Sequence, residues 1–264
     1  STQPTVGTTG DNTLSANPLG IEAVREHFSL TALQLQQFTA LDALYRNWNA
    51  KINVISRKDI DNLYEHHILH SLAIAKVITF QRGTTILDVG TGGGFPGIPL
   101  AILFPECQFT LIDSIGKKIR VAYEIAQAIG LDNVTCIQER AEEEKGKFDF
   151  VVSRAVMPLP DLVKLVRKNV SHTQRNAMPN GLIVLKGGNL QAEIHPFHNI
   201  VETTDIAKLF PTDWFKGKSV IYLPSDTSLH NNKADHAMLG DDAARVVIRQ
   251  RRKPNKTATL YKKY

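Results

Sequence analysis

The residues best suited to chemistry lie in one glycine-rich run and in one carboxylate that follows it. An apolar segment leads to Asp88, and glycines then recur at every second position, at Gly90, Gly92 and Gly94. Glycine lets the backbone approach a bound nucleotide and can adopt a positive φ. Asp113 ends the next apolar run, roughly 20 residues after the loop begins, where an acid typically accepts hydrogen bonds from ribose hydroxyls. The spacing predicts a nucleoside-binding turn between a strand and a helix.

The details of this loop separate the possible ligands. No Lys-Ser or Lys-Thr pair closes the loop, as a Walker-type phosphate loop requires. A dinucleotide fingerprint fits only from Gly92 to Gly97, late in the turn. The pattern Asp88-x-Gly90-x-Gly92-x-Gly94 instead resembles the first motif of the class I S-adenosylmethionine-dependent methyltransferases. A glycine-rich turn with another ligand, or with none, is the alternative.

Apolar runs that alternate with helical periodicity place the loop in an α/β fold with a mostly parallel sheet. The segment 116–130 is predicted to be a helix that ends at Gly130. The region 200–223 is predicted to form an antiparallel hairpin with Lys216-Gly217 as its turn. The predicted strands span residues 84–89, 108–113, 133–138, 148–153, 181–186 and 218–223.

Two further regions flank this sheet. Residues 19–80 read as a helical subdomain, in which Thr31 and Gln34 form a capping box and Asp59 or Asp61 caps a second helix. The chain is therefore divided into a poorly ordered segment (1–18), the helical subdomain (19–80), the sheet domain (81–224) and a polar, basic tail (225–264). The tail could contact phosphates or be a solvated flexible segment.

Composition excludes some classes of protein. The net charge of +5 and the pI near 9.1 are compatible with nucleic acid but do not require it. Cys107 and Cys136 belong to no C-x-x-C pair, so we expect two buried free thiols rather than a zinc or redox motif. Apolar runs all fall short of the ~20 residues of a membrane helix. We expect a cytoplasmic protein that does not bind membranes.

Several further motifs are spread over residues 30–223. They are Trp48-Asn49, His67-Ile68-Leu69-His70-Ser71, Gly90 to Leu100, Asp113-Ser114-x-Gly116-Lys117, Ser153-Arg154-Ala155 and Leu185-Lys186-Gly187. Together they resemble the glucose-inhibited division protein B family, bacterial methyltransferases that modify N7 of one guanine in 16S ribosomal RNA. Three places depart from the family. The family often has Arg where His66 stands and Asp where His70 stands, and the tail beyond about residue 224 has no counterpart in it.

The resemblance implies the fold, the cofactor and the partner. The fold is that of a class I methyltransferase, Rossmann-like, with a mostly parallel sheet, an antiparallel last strand and an N-terminal helical subdomain. The cofactor is S-adenosylmethionine, and the partner is 16S rRNA in the 30S subunit or in its assembly intermediate. We also expect the protein to be a monomer. A structural ion pair is the alternative for Arg154, and a solvated turn for Glu142. The residues predicted to bind the cofactor are Gly90, Gly92, Phe95, Asp113, Ala141, Glu142 and Arg154.

Methylation of a guanine N7 needs no general base, because the nitrogen presents a lone pair and loses no proton. Arg154 and Lys186 are the residues predicted to position the guanine, since both side chains suit its O6/N7 edge. His66 and His70 have a spacing that could share a metal, but no third ligand is evident, and we predict no metal. The residues predicted to bind RNA are Arg57, Lys58, Lys117, Lys118 and Arg120.

Three other activities stay open from the sequence. The absence of an obligatory catalytic residue would also suit a cofactor-binding protein that holds RNA without turnover. A small-molecule methyltransferase is possible, although the basic helix start at Lys117 and the basic tail argue against it. Lys186 could instead belong to the lysine–acid tetrad of a ribose 2′-hydroxyl methyltransferase.

Overall fold

The computed structural model describes residues 18–154 and 157–225 and the backbone of 258–262. Within these residues one eight-stranded sheet has the order β6-β7-β5-β4-β1-β2-β3-β8. All neighbouring strands are parallel except β7, which runs antiparallel to β5 and β6. The strands are β1 (Thr85–Val89), β2 (Gln108–Asp113), β3 (Val134–Gln138), β4 (Phe150–Arg154), β5 (Gly181–Gly187), β6 (Glu202–Asp205), β7 (Lys218–Pro224) and β8 (Ala258–Lys262).

This topology confirms the predicted mostly parallel sheet with an antiparallel last strand. Each of the six predicted strands begins and ends within two residues of its position in the structure. The apolar runs were readable because a strand buried on both faces is nearly continuous in apolar residues.

Helices cover both faces of the sheet. One face lies against the helices before residue 80 and against α5 and α6, whereas the other lies against α7 and α8. Successive strand residues alternate between these layers, so that Phe150 and Val152 pack on the first side and Val151 on the second. The helices are α1 (Ile21–His27), α2 (Ala32–Lys51), a π-helix (Leu63–Leu69), α3 (His70–Leu72), α4 (Ile74–Val77), α5 (Gly97–Leu103), α6 (Gly116–Ala128), α7 (Leu159–Val166) and α8 (Gln191–Ile194).

The start and end of two long helices follow the sequence signals. The Thr31 hydroxyl accepts a hydrogen bond from Gln34 N at 3.1 Å, and Gln34 Oε1 accepts one from Thr31 N at 2.9 Å. This reciprocal pair confirms the capping box at α2. Gln34 Nε2 also donates to the Ile102 carbonyl at 3.1 Å, which ties α2 to α5. Gly130, with a φ of +73°, follows α6 as predicted.

The segment after α2 differs from the prediction of one capped helix. It consists of a 3-10 turn (Ile60–Asn62), the π-helix and the short helices α3 and α4. Neither predicted acid caps it: Asp59 lies 2.9 Å from His66 Nδ1, and Asp61 pairs with Arg46 at 2.9 Å. The predicted cap is wrong because side-chain partners from the tertiary fold take both carboxylates.

The connection between β6 and β7 is longer than a tight hairpin. The two strands are antiparallel as predicted, but two 3-10 turns, Ile206–Lys208 and Asp213–Phe215, lie between them. Ile206 and Phe215 are fully buried, so the connection packs into the core instead of reversing at Lys216-Gly217.

The eighth strand was not predicted. Its backbone pairs in parallel with β3, with Ala258 opposite Val134 and Lys262 opposite Gln138. The remainder of the predicted tail, and nearly all of the segment predicted to be poorly ordered, lie outside the described residues. The predicted division into units stays a prediction. Both cysteines are buried and free, as expected. Within the described part of the chain, no helix has the length and apolar character needed to cross a bilayer.

Thr31→Ala is expected to lower the free energy of unfolding by about 1 kcal/mol, because it removes one half of the capping box. Urea denaturation measures the change. Thr39→Ala is the matched control: this hydroxyl, in the interior of α2, bonds only to the Leu35 carbonyl one turn back. A loss at residue 39 as large as the loss at residue 31 would contradict the capping role.

Candidate active site

The glycine loop leaves β1 at the carboxyl edge of the sheet and enters α5 at Gly97. Gly90, Gly92 and Gly94 have φ angles of +68°, +59° and +120°. Residues with a side chain rarely adopt this region, so the backbone itself requires glycine at these three positions. The strand, the turn and the helix are therefore arranged as the sequence predicts.

The glycines have two different surroundings. A Cβ atom on Gly94 would lie 2.5 Å from Ile98 Cδ1, and one on Gly97 would lie 2.7 Å from Leu111 Cδ1. A Cβ atom on Gly92 would meet nothing within 4 Å. Gly94 and Gly97 are thus needed for packing beneath the loop, whereas Gly92 borders open space into which a ligand can come.

Asp88 lies under the loop and is fully buried. Its Oδ2 accepts hydrogen bonds from Thr91 Oγ1 at 2.7 Å and from Gly97 N at 2.8 Å. Its Oδ1 is buried and has no hydrogen-bond partner among the described residues. Burial raises the pKa of Asp88 to about 8, although these two hydrogen bonds and the charge of Arg154 oppose that rise.

Asp113 ends β2, as predicted, and it also reaches the glycine loop. Because β1 and β2 are parallel neighbours, their carboxyl ends meet. Asp113 Oδ2 accepts a hydrogen bond from Gly92 N at 2.8 Å, and Oδ1 accepts one from Ile115 N at 2.8 Å. The carboxylate is half-buried. Its remaining lone pairs can still accept hydrogen bonds from a ligand.

Aromatic rings form a wall on the helical side of the loop. Phe95 is buried, with the Tyr45 ring 4.8 Å away and the His67 ring 5.1 Å away, centre to centre. Tyr45 Oη donates a hydrogen bond to the Gly93 carbonyl at 2.8 Å, and burial raises the pKa of Tyr45 well above its usual value. The helices before residue 80 thus fix the loop directly.

Arg154 lies at the end of β4 and faces the same wall. Its guanidinium carbon is 5.4 Å from the Phe95 ring centre. Nη1 donates to the His66 carbonyl at 3.2 Å, and Nη2 donates to His67 Nδ1 at 3.0 Å. Burial lowers the pKa of Arg154. Among the described residues no carboxylate lies within ion-pair distance of it. The guanidinium therefore keeps N–H donors for an anionic ligand.

Ala141 and Glu142 lie in a 3-10 turn shortly after β3, at the same edge of the sheet. Lys168 Nζ donates to the carbonyls of Ala141 and Glu142, at 3.3 and 2.7 Å. Ala141 is half-buried, whereas the Glu142 side chain is exposed. The turn is thus held by its backbone, and the Glu142 carboxylate extends into solvent.

Lys186 lies on the other face of the sheet. It is buried in β5, where Nζ pairs with Glu193 Oε1 at 2.9 Å and also donates to the Met157 carbonyl. Glu193 Oε1 accepts a further hydrogen bond from Leu159 N at 2.8 Å. Because side chains alternate between the two faces of a strand, Lys186 points towards α7 and Arg154 points towards the wall of aromatic rings. The structure does not bring the two predicted positioning residues together.

The predicted RNA-binding residues lie in two groups. Arg57 and Lys58 are exposed in the turn after α2. In the first turns of α6, directly after the Asp113 loop, Lys117 and Arg120 are exposed and Lys118 is half-buried. Arg120 Nε pairs with Glu124 at 2.7 Å. The second group therefore borders the candidate active site.

Trp214 is a residue beside the site that the sequence analysis missed. It lies between β6 and β7, and its ring stacks on the His66 ring at 4.0 Å with 12° between the planes. The His70 ring is nearly perpendicular to the Trp214 ring, with the two centres 5.4 Å apart, and Lys218 Nζ lies 4.0 Å from the indole centre. No local spacing places Trp214 beside residues more than a hundred positions earlier. In the described part of the chain, no group of three His, Cys, Asp or Glu residues could hold a metal ion.

Comparison with known proteins defines the family. The model of the family described as rRNA small subunit methyltransferase G matches residues 34–217, about two thirds of the chain and all of the candidate site. The chain belongs to this family. The ribosomal RNA small subunit methyltransferase G of Bacteroides thetaiotaomicron is 62% identical over 203 residues, which cover 76% of this chain and 98% of that protein. The protein of the same name from Flavobacterium psychrophilum is 54% identical, covering 77% and 98%.

The similarity of this chain to solved structures is weaker than its similarity in sequence to these relatives. The E81Q mutant of MtNAS in complex with S-adenosylmethionine matches with a TM-score of 0.47 and 15% identity, covering 73% of this chain and 77% of that one.

Gly92→Ala is expected to lower affinity for S-adenosylhomocysteine at least about tenfold, because the new methyl group enters the open space beside the loop. The strained φ should lower the free energy of unfolding by about 1–2 kcal/mol. Gly130→Ala is the matched control, since Gly130 also has a positive φ and open space around it but ends α6. Calorimetry should show a binding loss only at residue 92, and equal affinities would contradict the assignment.

Asp88→Asn keeps an oxygen that accepts hydrogen bonds from Thr91 and Gly97, but it removes the carboxyl group that titrates. Burial raises the pKa of Asp88 from 3.8 to about 8, so between these values the folded chain holds one proton that the unfolded chain has lost. The wild-type free energy of unfolding should therefore fall as pH rises. Between about pH 5.5 and 7.5 its slope should be about 1.4 kcal/mol per pH unit steeper than that of the variant. The free energy of unfolding is measured by urea denaturation at each pH. Equal slopes against pH for the wild type and the variant would contradict a neutral, buried Asp88.

Proposed function

We propose that this chain transfers the methyl group of S-adenosylmethionine to N7 of a guanine in 16S ribosomal RNA. The observation that carries the proposal is the meeting of Asp88, the glycine loop and Asp113 at one edge of the sheet, in a chain of the rRNA small subunit methyltransferase G family. The high identity to relatives of that name supports the same substrate class.

The residues at this edge fit the parts of the cofactor. Asp113 would accept the ribose hydroxyls, since its carboxylate already lies against Gly92 N. Arg154 would hold the carboxylate of the amino-acid portion, because its half-buried charge has no carboxylate partner among the described residues. The turn of Ala141 and Glu142 would meet the adenine, with Gly90, Gly92 and Phe95 of the loop enclosing the remainder.

The chemistry is an in-line displacement that needs no general base. The cofactor supplies an activated methyl group on sulfur when bound, and guanine N7 supplies an in-plane lone pair. The chain's own residues therefore align the reactants and exclude water. Tyr45 and Phe95 exclude water on the helical side, and Arg154 fixes the anionic end of the cofactor. Alignment of this kind can lower a barrier by roughly 7–11 kcal/mol.

Access to N7 determines what form of RNA can bind. A-form RNA hides the major-groove edge on which N7 lies, so the target guanine must lie in a loop or be turned out of its stack. Exposed Arg57, Lys58 and Lys117 suit contacts with the surrounding phosphates, whereas Arg120 is already paired with Glu124. We propose a cytoplasmic monomer acting on the 30S subunit or on its assembly intermediate.

The contacts of Lys186 favour a different role from the one predicted. Holding the guanine would require its ion pair with Glu193 to open. In the structure this pair, together with the Met157 carbonyl and Leu159 N, fastens the start of α7. We therefore propose that Lys186 acts indirectly, by fixing the start of α7, a few residues after Arg154.

Purified protein is expected to transfer labelled methyl groups to undermethylated 30S subunits, with the label on guanine N7. Asp113→Ala should abolish cofactor binding and transfer, because it removes the ribose acceptor. Asp132→Ala is the control, since Asp132 is an exposed acid beyond the end of α6. Mapping of the labelled nucleotide by digestion and mass spectrometry identifies the product.

Two results would contradict the proposal. Transfer to a small molecule but not to 30S subunits or 16S rRNA would indicate a small-molecule methyltransferase. Tight cofactor and RNA binding without turnover on any of these substrates would indicate a protein that holds RNA without catalysis.

A further inference from the structure

His67 lies between the glycine loop and the end of β4, and the proposed function gives it no role. It belongs to the π-helix, and only 8% of its surface is exposed. Its Nδ1 is 3.0 Å from Arg154 Nη2, and its ring centre is 5.1 Å from that of Phe95. π-Helical turns are rare and often occur at functional sites.

The contact with Arg154 determines the tautomer of His67. A guanidinium can only donate, so Nδ1 must accept, and the proton of the neutral ring lies on Nε2. Burial, and then the charge of Arg154, lower the pKa of His67 to about 3, which keeps the ring neutral. Nε2 is buried and has no hydrogen-bond partner among the described residues.

A buried N–H donor without an acceptor is costly and uncommon in folded proteins. The π-helix nevertheless holds this one in place, because the His66 carbonyl and the His67 ring bind two nitrogens of the same guanidinium. The donor is thereby fixed beside Phe95 and Arg154, two residues that the proposed function places around the bound cofactor.

We infer that His67 is a positioning residue of the methyl-transfer site, whose Nδ1 orients Arg154 and whose Nε2–H donates a hydrogen bond to an oxygen of a bound ligand. This inference rests on the proposed function. Both proposed ligands offer such an oxygen: the carboxylate of the cofactor, or O6 of guanine. A hydrogen bond to O6 would hold the base and leave the N7 lone pair free for methylation.

Two substitutions separate the two functions of the ring. His67→Asn places an amide oxygen near the Nδ1 position and removes the Nε2 donor, whereas His67→Gln places an amide N–H near the Nε2 position. Binding of S-adenosylhomocysteine and of 5′-methylthioadenosine, which lacks the amino-acid portion, is measured by calorimetry. Single-turnover transfer is measured on reconstituted 30S subunits that carry guanine or 2-aminopurine, which lacks O6, at the target position.

If the acceptor is the carboxylate, His67→Asn should weaken S-adenosylhomocysteine about tenfold and leave 5′-methylthioadenosine unchanged. If the acceptor is O6, both affinities should stay as in the wild type, and transfer to guanine should slow about tenfold or more without further loss on 2-aminopurine. His67→Gln should recover part of the loss in either case.

The inference would be overturned if His67→Asn left both binding and transfer unchanged. It would also be overturned if the variant bound S-adenosylhomocysteine and 5′-methylthioadenosine more weakly by the same factor. A wild-type protein that binds S-adenosylhomocysteine but methylates no RNA would instead contradict the proposed function. The binding measurements would still test the carboxylate as acceptor in that case.

His70→Asn is the matched control. His70 lies one turn further along, is equally buried and also has an unpartnered Nε2, but its ring lies against Trp214 and Phe215. His70→Asn is expected to change the free energy of unfolding and to leave cofactor binding and methyl transfer unchanged. If His70→Asn gave the same losses as His67→Asn, those losses would come from a general disturbance of the helix, and the inference would be wrong.

Discussion

The buried carboxyl group of Asp88 joins the two ends of the glycine loop. Through one oxygen it bonds Thr91, near the start of the loop, and the amide of Gly97, where α5 begins. Water cannot replace these bonds, because the group is fully buried. The left-handed turns at Gly92 and Gly94 lie between these two attachments, so the position of every ligand-facing atom of the loop depends on them.

The helices before residue 80 do more than cover the sheet. These helices cover part of Arg154, so its charge lies in a setting where electrostatic interactions are stronger than in water. An ion pair fully exposed to water would be worth only about 0–1 kcal/mol. The same helices supply the hydrogen-bond partners that hold the guanidinium, the His66 carbonyl and His67 Nδ1. The cost of burying this cation is compensated when an anionic group of a ligand reaches it.

Local patterns predicted the sheet, the glycine loop and the capping box, because a buried strand, a positive φ and a cap each depend on a few neighbouring residues. The opposite orientation of Arg154 and Lys186 could not be predicted. It follows from the pairing of Arg154 with Leu185, which places Lys186 one residue further and on the other face. That register belongs to the assembled sheet. The π-helix and Trp214 were missed for the same reason, since their contacts join residues far apart in sequence.

The eighth strand affects one border of the sheet. Without it, β3 would present a row of unpaired backbone groups that another chain could pair with. With it, the outward-facing amides of β3 exchange with deuterium only when residues 258–262 detach. The backbone groups of Asn133 and Glu139 bond to β2, so by alternation the Cys136 amide faces the eighth strand. Slow isotope exchange at Cys136 therefore reports on a strand more than a hundred residues later, and protection from aggregation at this border depends on that strand remaining bound.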